Sequence, residues 1–258
     1  MNEAYSAFAA GYDRMMGDVE YDGWARYIDG FLKEAGARSV LECACGTGNL
    51  TVRLAKMGYA MTGSDLSEDM LMAARQKALN AGLRFLPFVC QDMRRIVLHK
   101  PVDAIVCACD GVNYLVDGAE DFFRAAYTAL KPGGTLLFDV SSAYKLSTIL
   151  NNNTFAATGE DWAYIWENQY HPRLGRVDML LTGFLRQGKG YARFEEHHSQ
   201  RAYTEAELRS SLESCGFGDV RVFEAFTRSA PTDTAERLQP PALTRPQRRE
   251  NTYHRRSG

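Results

Sequence analysis

The run from Val40 to Leu50, VLECACGTGNL, joins a short apolar stretch to a small-residue turn and then to a helix opening with Leu50, Leu54 and Met57 at helical spacing. Such a junction can hold a ligand. Gly46 and Gly48 let the backbone take positive φ and leave no Cβ between chain and ligand, while the helix that follows offers unpaired N–H groups and a positive dipole end. A nucleotide-like group suits that chemistry. Asp65 ends the next apolar stretch, about 17 residues beyond Gly48, where a carboxylate can take two ribose hydroxyls, a partial match to the dinucleotide fingerprint. Asp92 ends a third stretch, and Asp110 and Asn113 follow a fourth. His197 and His198 are adjacent in an alternating segment, so they point to opposite faces and at most one meets a cleft; either could act as a base, and His198 is taken as the candidate. Cys43, Cys45, Cys107 and Cys109 lie at the ends of two stretches expected to be neighbours. Their Cys-x-Cys spacing is not that of a zinc knuckle and cysteine commonly fills cores, so no metal is assigned.

The elements that must position these residues follow from periodicity. Residues 4–16 and 22–35 have helical spacing, the first with an aromatic and sulfur-rich face and the second closed by Gly36. Strands are expected at 39–41, 60–64, 85–90, 102–109 and 135–140, separated by helices, of which one is capped by Ser67 and another spans 117–130. Pro87 suits an edge strand, and the continuous apolar run at 102–109 suits a buried central one. Strands alternating with helices imply right-handed crossovers and a Rossmann-like, doubly wound α/β fold with a mostly parallel sheet. After Ser142 the pattern changes to period two, with Trp162, Tyr164, Trp166 and Tyr170 alternating and two more strands at 177–186 and 191–202. The expectation is an inserted three-stranded antiparallel sheet over 143–202, a lid or a homodimer surface, whose aromatic stripe is read first as sheet packing. A capping box at Thr204 opens another helix, and a strand is expected at 220–226. Residues 1–142 and 203–230 then form the ligand-binding domain. Four of the chain's eight prolines lie beyond residue 230 among arginines, so 231–258 reads as a disordered tail.

Composition narrows the function. With 258 residues and 45% hydrophobic content the chain can bury a large core, and a net charge of -2 disfavours a broad nucleic-acid surface. No apolar run reaches membrane-spanning length and the N-terminus does not look like a signal peptide, so a cytoplasmic protein is expected; six cysteines then read as reduced buried thiols.

Taken together, VLECACGTG, Asp65 in GSDLSEDML, Asp92 in CQDM and LKPGG before a strand resemble class I S-adenosylmethionine-dependent methyltransferases over roughly Tyr5 to Phe226. Within that superfamily the chain is similar to small bacterial enzymes with an antiparallel insertion, including amino-sugar N-methyltransferases, whose Tyr-Asp pair recurs as Tyr12-Asp13. The resemblance implies S-adenosylmethionine as cofactor and S-adenosylhomocysteine as product. It places Gly46 and Gly48 against the methionine and ribose parts, Asp65 on the ribose, Leu66 and Met70 on the adenine, and Asp92 at the adenine amino group with the Met93 backbone nearby. Glu42, Cys45 and the backbone at Cys109 fall on the methionine side, Tyr12 near the sulfonium, and Asp110 and Asn113 where donor methyl and acceptor meet. Asp110 is expected to orient or deprotonate the nucleophile. The family usually has Asp where Glu42 stands and Gly where Ala44 stands. It also finishes its sheet with an antiparallel strand that nothing in 232–258 looks able to supply, which would leave a slot.

The implied activity is methyl transfer to nitrogen or oxygen of a small molecule by in-line displacement, in which the protein aligns a reactive donor with a desolvated nucleophile. Motifs for base methylation are missing, so nucleic acid is disfavoured as acceptor. A nicotinamide-dependent oxidoreductase is the first rival, weakened because Leu50 and Thr51 stand where its third small residue belongs. A noncatalytic cofactor-binding or assembly protein is the second, kept open by the unusual tail.

Overall fold

A computed structural model describes residues 11–17 and 19–244. Five parallel strands form the centre of a seven-stranded sheet: β1 (Ser39–Cys43), β2 (Ala60–Asp65), β3 (Phe88–Cys90), β4 (Val102–Cys107) and β5 (Leu130–Phe138). The spatial order is β11-β14-β5-β4-β1-β2-β3, with β14 (Pro241–Thr244) antiparallel to both of its neighbours, β5 and β11 (Phe217–Gly218). Neighbouring positions on β1 and β4 are buried on opposite faces, which is why those strands read as unbroken apolar runs. Leu41 and Ile105 pack into the core beneath α4 (Glu120–Ala129) and α5 (Glu205–Ser214). Val40, Ala104 and Val106 pack with Trp24, Ile28 and Leu32 of α1 (Tyr21–Glu34) and with Leu50 and Leu54 of α2 (Asn49–Lys56).

Helix ends follow the local chemistry. The Ser67 hydroxyl accepts the Met70 N–H at the start of α3 (Glu68–Asn80), and Thr204 and Glu207 form the expected reciprocal box at α5. Residues 11–15 are helical; the remainder of the first expected helix lies outside the described residues, apart from the turn at residue 16.

Three expectations are corrected. The inserted sheet has four strands, not three, in the order β10-β9-β8-β7: β7 (Thr154–Thr158), β8 (Trp162–His171), β9 (Arg176–Gln187) and β10 (Gly190–Arg201). The short β7 carries no wide apolar alternation and was invisible to periodicity. Of the strand expected at 220–226 only the two-residue β12 (Phe223–Glu224) forms, and β11 lies before that range. Most consequentially, residues 231–244 are not disordered. They carry β13 (Arg237–Gln239), paired with β6 (Val140–Ser141), and β14, which lies between β5 and β11 and fills the slot in the sheet. Residues 245–258 lie outside the described residues.

The physics of β14 explains the miss. Pro241 is the first residue of its strand, where a missing N–H is tolerated. Gln239 and Thr244 look polar, yet both are buried with their side chains bonded to the backbone carbonyls of Phe138 and Lys131. Within β13 and β14, prolines aside, only Leu238 and Ala242 show the buried apolar character that a pattern search looks for.

Candidate active site

β1 and β4 are neighbours, and the chain leaves them in opposite directions, β1 toward β2 and β4 toward β5. Ligands of open α/β sheets bind in the crevice outside the carboxyl ends of the strands at such a switch point. A cavity of about 740 Å³ lies there, bounded on the far side by the inserted sheet. Of the site residues expected from sequence, all but Gly48 and Asn113 line it.

The glycine turn divides its labour. Gly46 has φ +52° and a Cβ there would meet open space, so it borders the cavity as expected. Gly48 has φ +74°, but its Cβ would lie 3.0 Å from the Ala74 Cβ and 3.3 Å from the Phe88 ring. Gly48 thus serves close packing of the turn on α3 and β3 and does not touch the cavity. Asp65 holds the turn: Oδ2 accepts the Gly46 N–H at 2.8 Å and Oδ1 the Ser67 N–H at 2.9 Å, leaving further lone pairs on both oxygens.

Glu42 is 3% exposed and receives the Thr51 hydroxyl. Burial, with the negative charge of Asp65 adding to it, pushes its carboxyl up to about 8. At neutral pH it is therefore protonated until a cation arrives. Asp92 is engaged by Arg94, whose Nη2 lies 2.6 Å from Oδ2, and that bond holds the carboxyl below its ordinary range. Leu66, Met70 and Met93 add apolar surface beside it.

Asp13, the second member of the Tyr12-Asp13 pair, ties the first helix to the glycine turn. Its Oδ1 accepts from the Thr47 hydroxyl at 2.7 Å and the Asn49 amide at 2.9 Å, and Oδ2 pairs with Lys77 at 2.7 Å. Burial would raise this carboxyl, yet Lys77, Thr47 and Asn49 together hold it below its ordinary value. The first helix is so pinned to the glycine turn, with Tyr12 facing the cavity and burial pushing its phenol well up.

The other half of the cavity is assembled from distant parts of the chain. Cys109 and Asp110 both have left-handed backbones, at φ 59° and 57°, uncommon for residues with side chains and frequent where a loop is held for function. The Asp110 N–H donates to Asp139 at 3.0 Å, its Oδ1 pairs with Arg237 at 2.9 Å, and its Oδ2 accepts from the Gln200 amide at 2.6 Å. Arg237 also pairs with Asp139, which is fully buried. Burial opposes the charge on Arg237, but Asp139 and Asp110 outweigh it and hold the guanidinium firmly protonated. Burial raises the Asp139 carboxyl, with Arg237 acting against it.

Asn113 does not line the cavity. It is fully buried, and its amide nitrogen donates to the Ser141 carbonyl at 3.0 Å and the Arg201 carbonyl at 2.8 Å while its oxygen accepts the Ser141 N–H at 2.8 Å. A satisfied amide tying the loop after β4 to β6 and β10 is a joint, and the spacing that put it near the reacting atoms could not reveal that. His198 does face the cavity, in edge contact with Tyr114 at 5.7 Å, whereas His197 is exposed on the other face. Burial, and secondarily His197, lowers the His198 pKa.

The thiols of Cys45, Cys107 and Cys109 are driven well above their ordinary value, chiefly by burial. Among the described residues no group of three or more His, Cys, Asp or Glu side chains is placed to hold a metal, and no helix is long and apolar enough to cross a membrane.

The sequence profile of the family described as methyltransferase domain matches residues 40–134. A putative methyltransferase of Bacillus subtilis (strain 168), YqeM, is 38% identical over 91% of this chain and 94% of its own length, and one of Geobacillus sp. (strain WCH70) is 37% identical over 91% and 97%. The chain belongs to the class I S-adenosylmethionine-dependent methyltransferases. A solved S-adenosylmethionine-dependent methyltransferase of Clostridium acetobutylicum superposes on this methyltransferase with a TM-score of 0.84 at 32% identity, covering 93% of this chain and 99% of that one. The sugar N-methyltransferase KedS8 of Streptoalloteichus shares the fold, with a TM-score of 0.73 at 20% identity and coverage of 95% and 94%.

The methyltransferase's own residues fit its cofactor. The open space at Gly46, the lone pairs left on Asp65, and the orphaned Gln91 Nε2 at the cavity wall are partners waiting for polar groups, and a buried neutral Glu42 can ionise against an ammonium. What sequence reasoning missed lies in or behind the half of the cavity away from the glycine turn: Gln200, Asp139, Lys145 and Arg237. Gln200 could have been found as the residue two beyond His198 on the same strand face; Arg237, in a proline-flanked stretch, gave no signal.

Proposed function

We propose that this methyltransferase acts on a nitrogen or oxygen atom of a small molecule held between the loop after β4 and the inserted sheet. The observation that carries the reading is the cavity: at about 740 Å³ it lies within the roughly 300–1,000 Å³ of small-molecule sites, and it continues from the glycine turn to His198. Its far wall comes from one face of the inserted sheet, where Tyr164, Trp166, Met179 and Leu181 stand beside His198 and Gln200. An apolar wall with a few polar groups suits a compact organic acceptor.

The cofactor supplies an activated methyl group, so the chain has only to align and desolvate the nucleophile and to receive a proton. His198, kept neutral by burial, is the group able to accept that proton. Asp110, fixed by Gln200 and Arg237, orients the acceptor through the lone pairs those contacts leave. Asn113 has no part in this chemistry.

The test is transfer of labelled methyl from S-adenosylmethionine to a fractionated cell extract. Label is expected in the fraction below about 1 kDa, attached to nitrogen or oxygen by mass spectrometry. Label confined to protein or nucleic acid would refute the small-molecule reading. With an acceptor in hand, D110A should slow single-turnover transfer by roughly 10²-fold or more, on the scale of a lost positioning or acid–base contact.

A further inference from the structure

The acceptor half of the cavity holds two cations, Lys145 and Arg237, and they are not in the same state. Arg237 is neutralised by Asp110 and Asp139. Lys145 opens the π-helical turn Lys145–Leu150, its backbone N–H bonded to the Ser142 hydroxyl, and its Nζ has no hydrogen-bond or ion-pair partner among the described residues. The acidic groups that bear on it are otherwise occupied. Asp110 is shared between Arg237 and Gln200, Asp139 between Arg237 and the Asp110 N–H, and Glu236 is exposed. Burial, followed by repulsion from Arg237, lowers the Lys145 pKa, the mark of an ammonium short of counter-charge.

A half-buried cation that lines a cavity without a partner among the described residues is costly, and a bound anion would relieve it. We propose that Lys145 receives an anionic oxygen group of the methyl acceptor, a carboxylate or a phosphate ester. The same turn presents Leu150 to the cavity, and Leu150 packs with Met179 and Trp166, so the rest of the acceptor lies on apolar and aromatic surface. The acceptor class is then a small organic anion with an apolar or flat body, its nucleophilic atom directed toward Asp110 and His198. This rests on the small-molecule reading above.

Isothermal titration of the S-adenosylhomocysteine complex with phenylacetate, phenylacetamide and phenyl phosphate tests it, using the wild type, K145M and K145R. One of the two anions should bind at least tenfold more tightly than the neutral amide, and whichever it is names the anionic group. K145M should erase the discrimination and K145R retain it, with S-adenosylhomocysteine affinity unchanged in both. Acid and amide binding equally, none of the three binding, or discrimination surviving in K145M would overturn the role of Lys145. That failure is separable from failure of the functional reading, which would show as label absent from the small-molecule fraction of the extract.

Discussion

The two halves of the cavity are built differently. The cofactor half is a local construction, in which Asp65 bonds to Gly46 and Ser67 and Glu42 to Thr51, partners at most 19 residues apart. The acceptor half is long-range: Asp110 reaches Gln200 across 90 residues, Asn113 reaches Arg201 across 88, and Asp139 reaches Arg237 across 98. The first half is fixed largely by one supersecondary unit and its backbone, with Asp13 pinning the first helix to it. The second exists only after the inserted sheet and the last strands have docked, so a family can keep the first while varying the second.

If the acceptor half depends on long-range docking, the largest effect should come from Arg237. R237A leaves the Asp139 carboxylate buried without its cation, which costs about 3–5 kcal/mol, or roughly 6–20 °C in Tm for a chain of this size. The loss should shrink on acidification. Asp139 is raised already, and without Arg237 it rises further; a carboxyl raised in the folded state destabilises as pH climbs above its unfolded value, so the deficit is smallest near pH 5 and grows toward pH 8. Thermal unfolding at the two pH values measures this, and S-adenosylhomocysteine affinity of the folded variant should change far less than stability. A loss of cofactor affinity as large as the loss of stability would mean the halves are one unit.

N113A should cost somewhat less, about 2–3 kcal/mol, because it removes three buried hydrogen bonds and leaves backbone groups of Ser141 and Arg201 unpaired. Unfolding by urea would show it. Single-turnover transfer at a temperature where the variant is folded should fall by no more than a few-fold, whereas a residue at the reacting atoms would cost far more.

This division also explains what could be read in the sequence. VLECACGTGNL, Asp65 and the central strands were legible because each is contiguous and each buried face shows its period. Gly48 was expected against the cofactor yet packs on Ala74 and Phe88, since a glycine needed by neighbouring side chains looks like one needed by a ligand. Arg237 and Gln239 were illegible because their meaning comes from partners about 100 residues away. Polar residues satisfied by buried backbone look the same, in a string of letters, as polar residues in water.

On the cofactor half, effects should be smaller and should follow titration. Glu42 is raised from 4.5 to about 8 in the cofactor-free protein, so its contribution to stability is lost as pH rises between those values. E42Q should flatten that pH dependence and make the free protein more stable at pH 8. Binding should show the opposite slope: an ammonium favours ionised Glu42, so wild-type affinity for S-adenosylhomocysteine tightens from pH 6 toward pH 8, by up to about tenfold per unit. In E42Q the affinity should be weaker at pH 8 and nearly independent of pH. A wild-type affinity flat across this range would show that Glu42 does not change its protonation state when the cofactor binds.

The smallest effect tests whether the cofactor turn is strained. Ala44, where the family usually has glycine, is held at φ 52°, a conformation that costs an L-residue about 1–2 kcal/mol. Its side chain is exposed, so little packing is lost on removing the Cβ. Against the relief stands the greater freedom of glycine in the unfolded chain, worth about 0.4–1 kcal/mol. The difference leaves A44G more stable by about 0.5–1 kcal/mol, a rise of roughly 1–4 °C in Tm, with cofactor affinity unchanged because the contacts of Asp65 and Gly46 are untouched. If stability rises but affinity falls, the Ala44 Cβ is preorganising the turn against its neighbour Gly111, where an added Cβ would lie only 3.1 Å from it. That outcome would join the two halves where the loops after β1 and β4 approach each other.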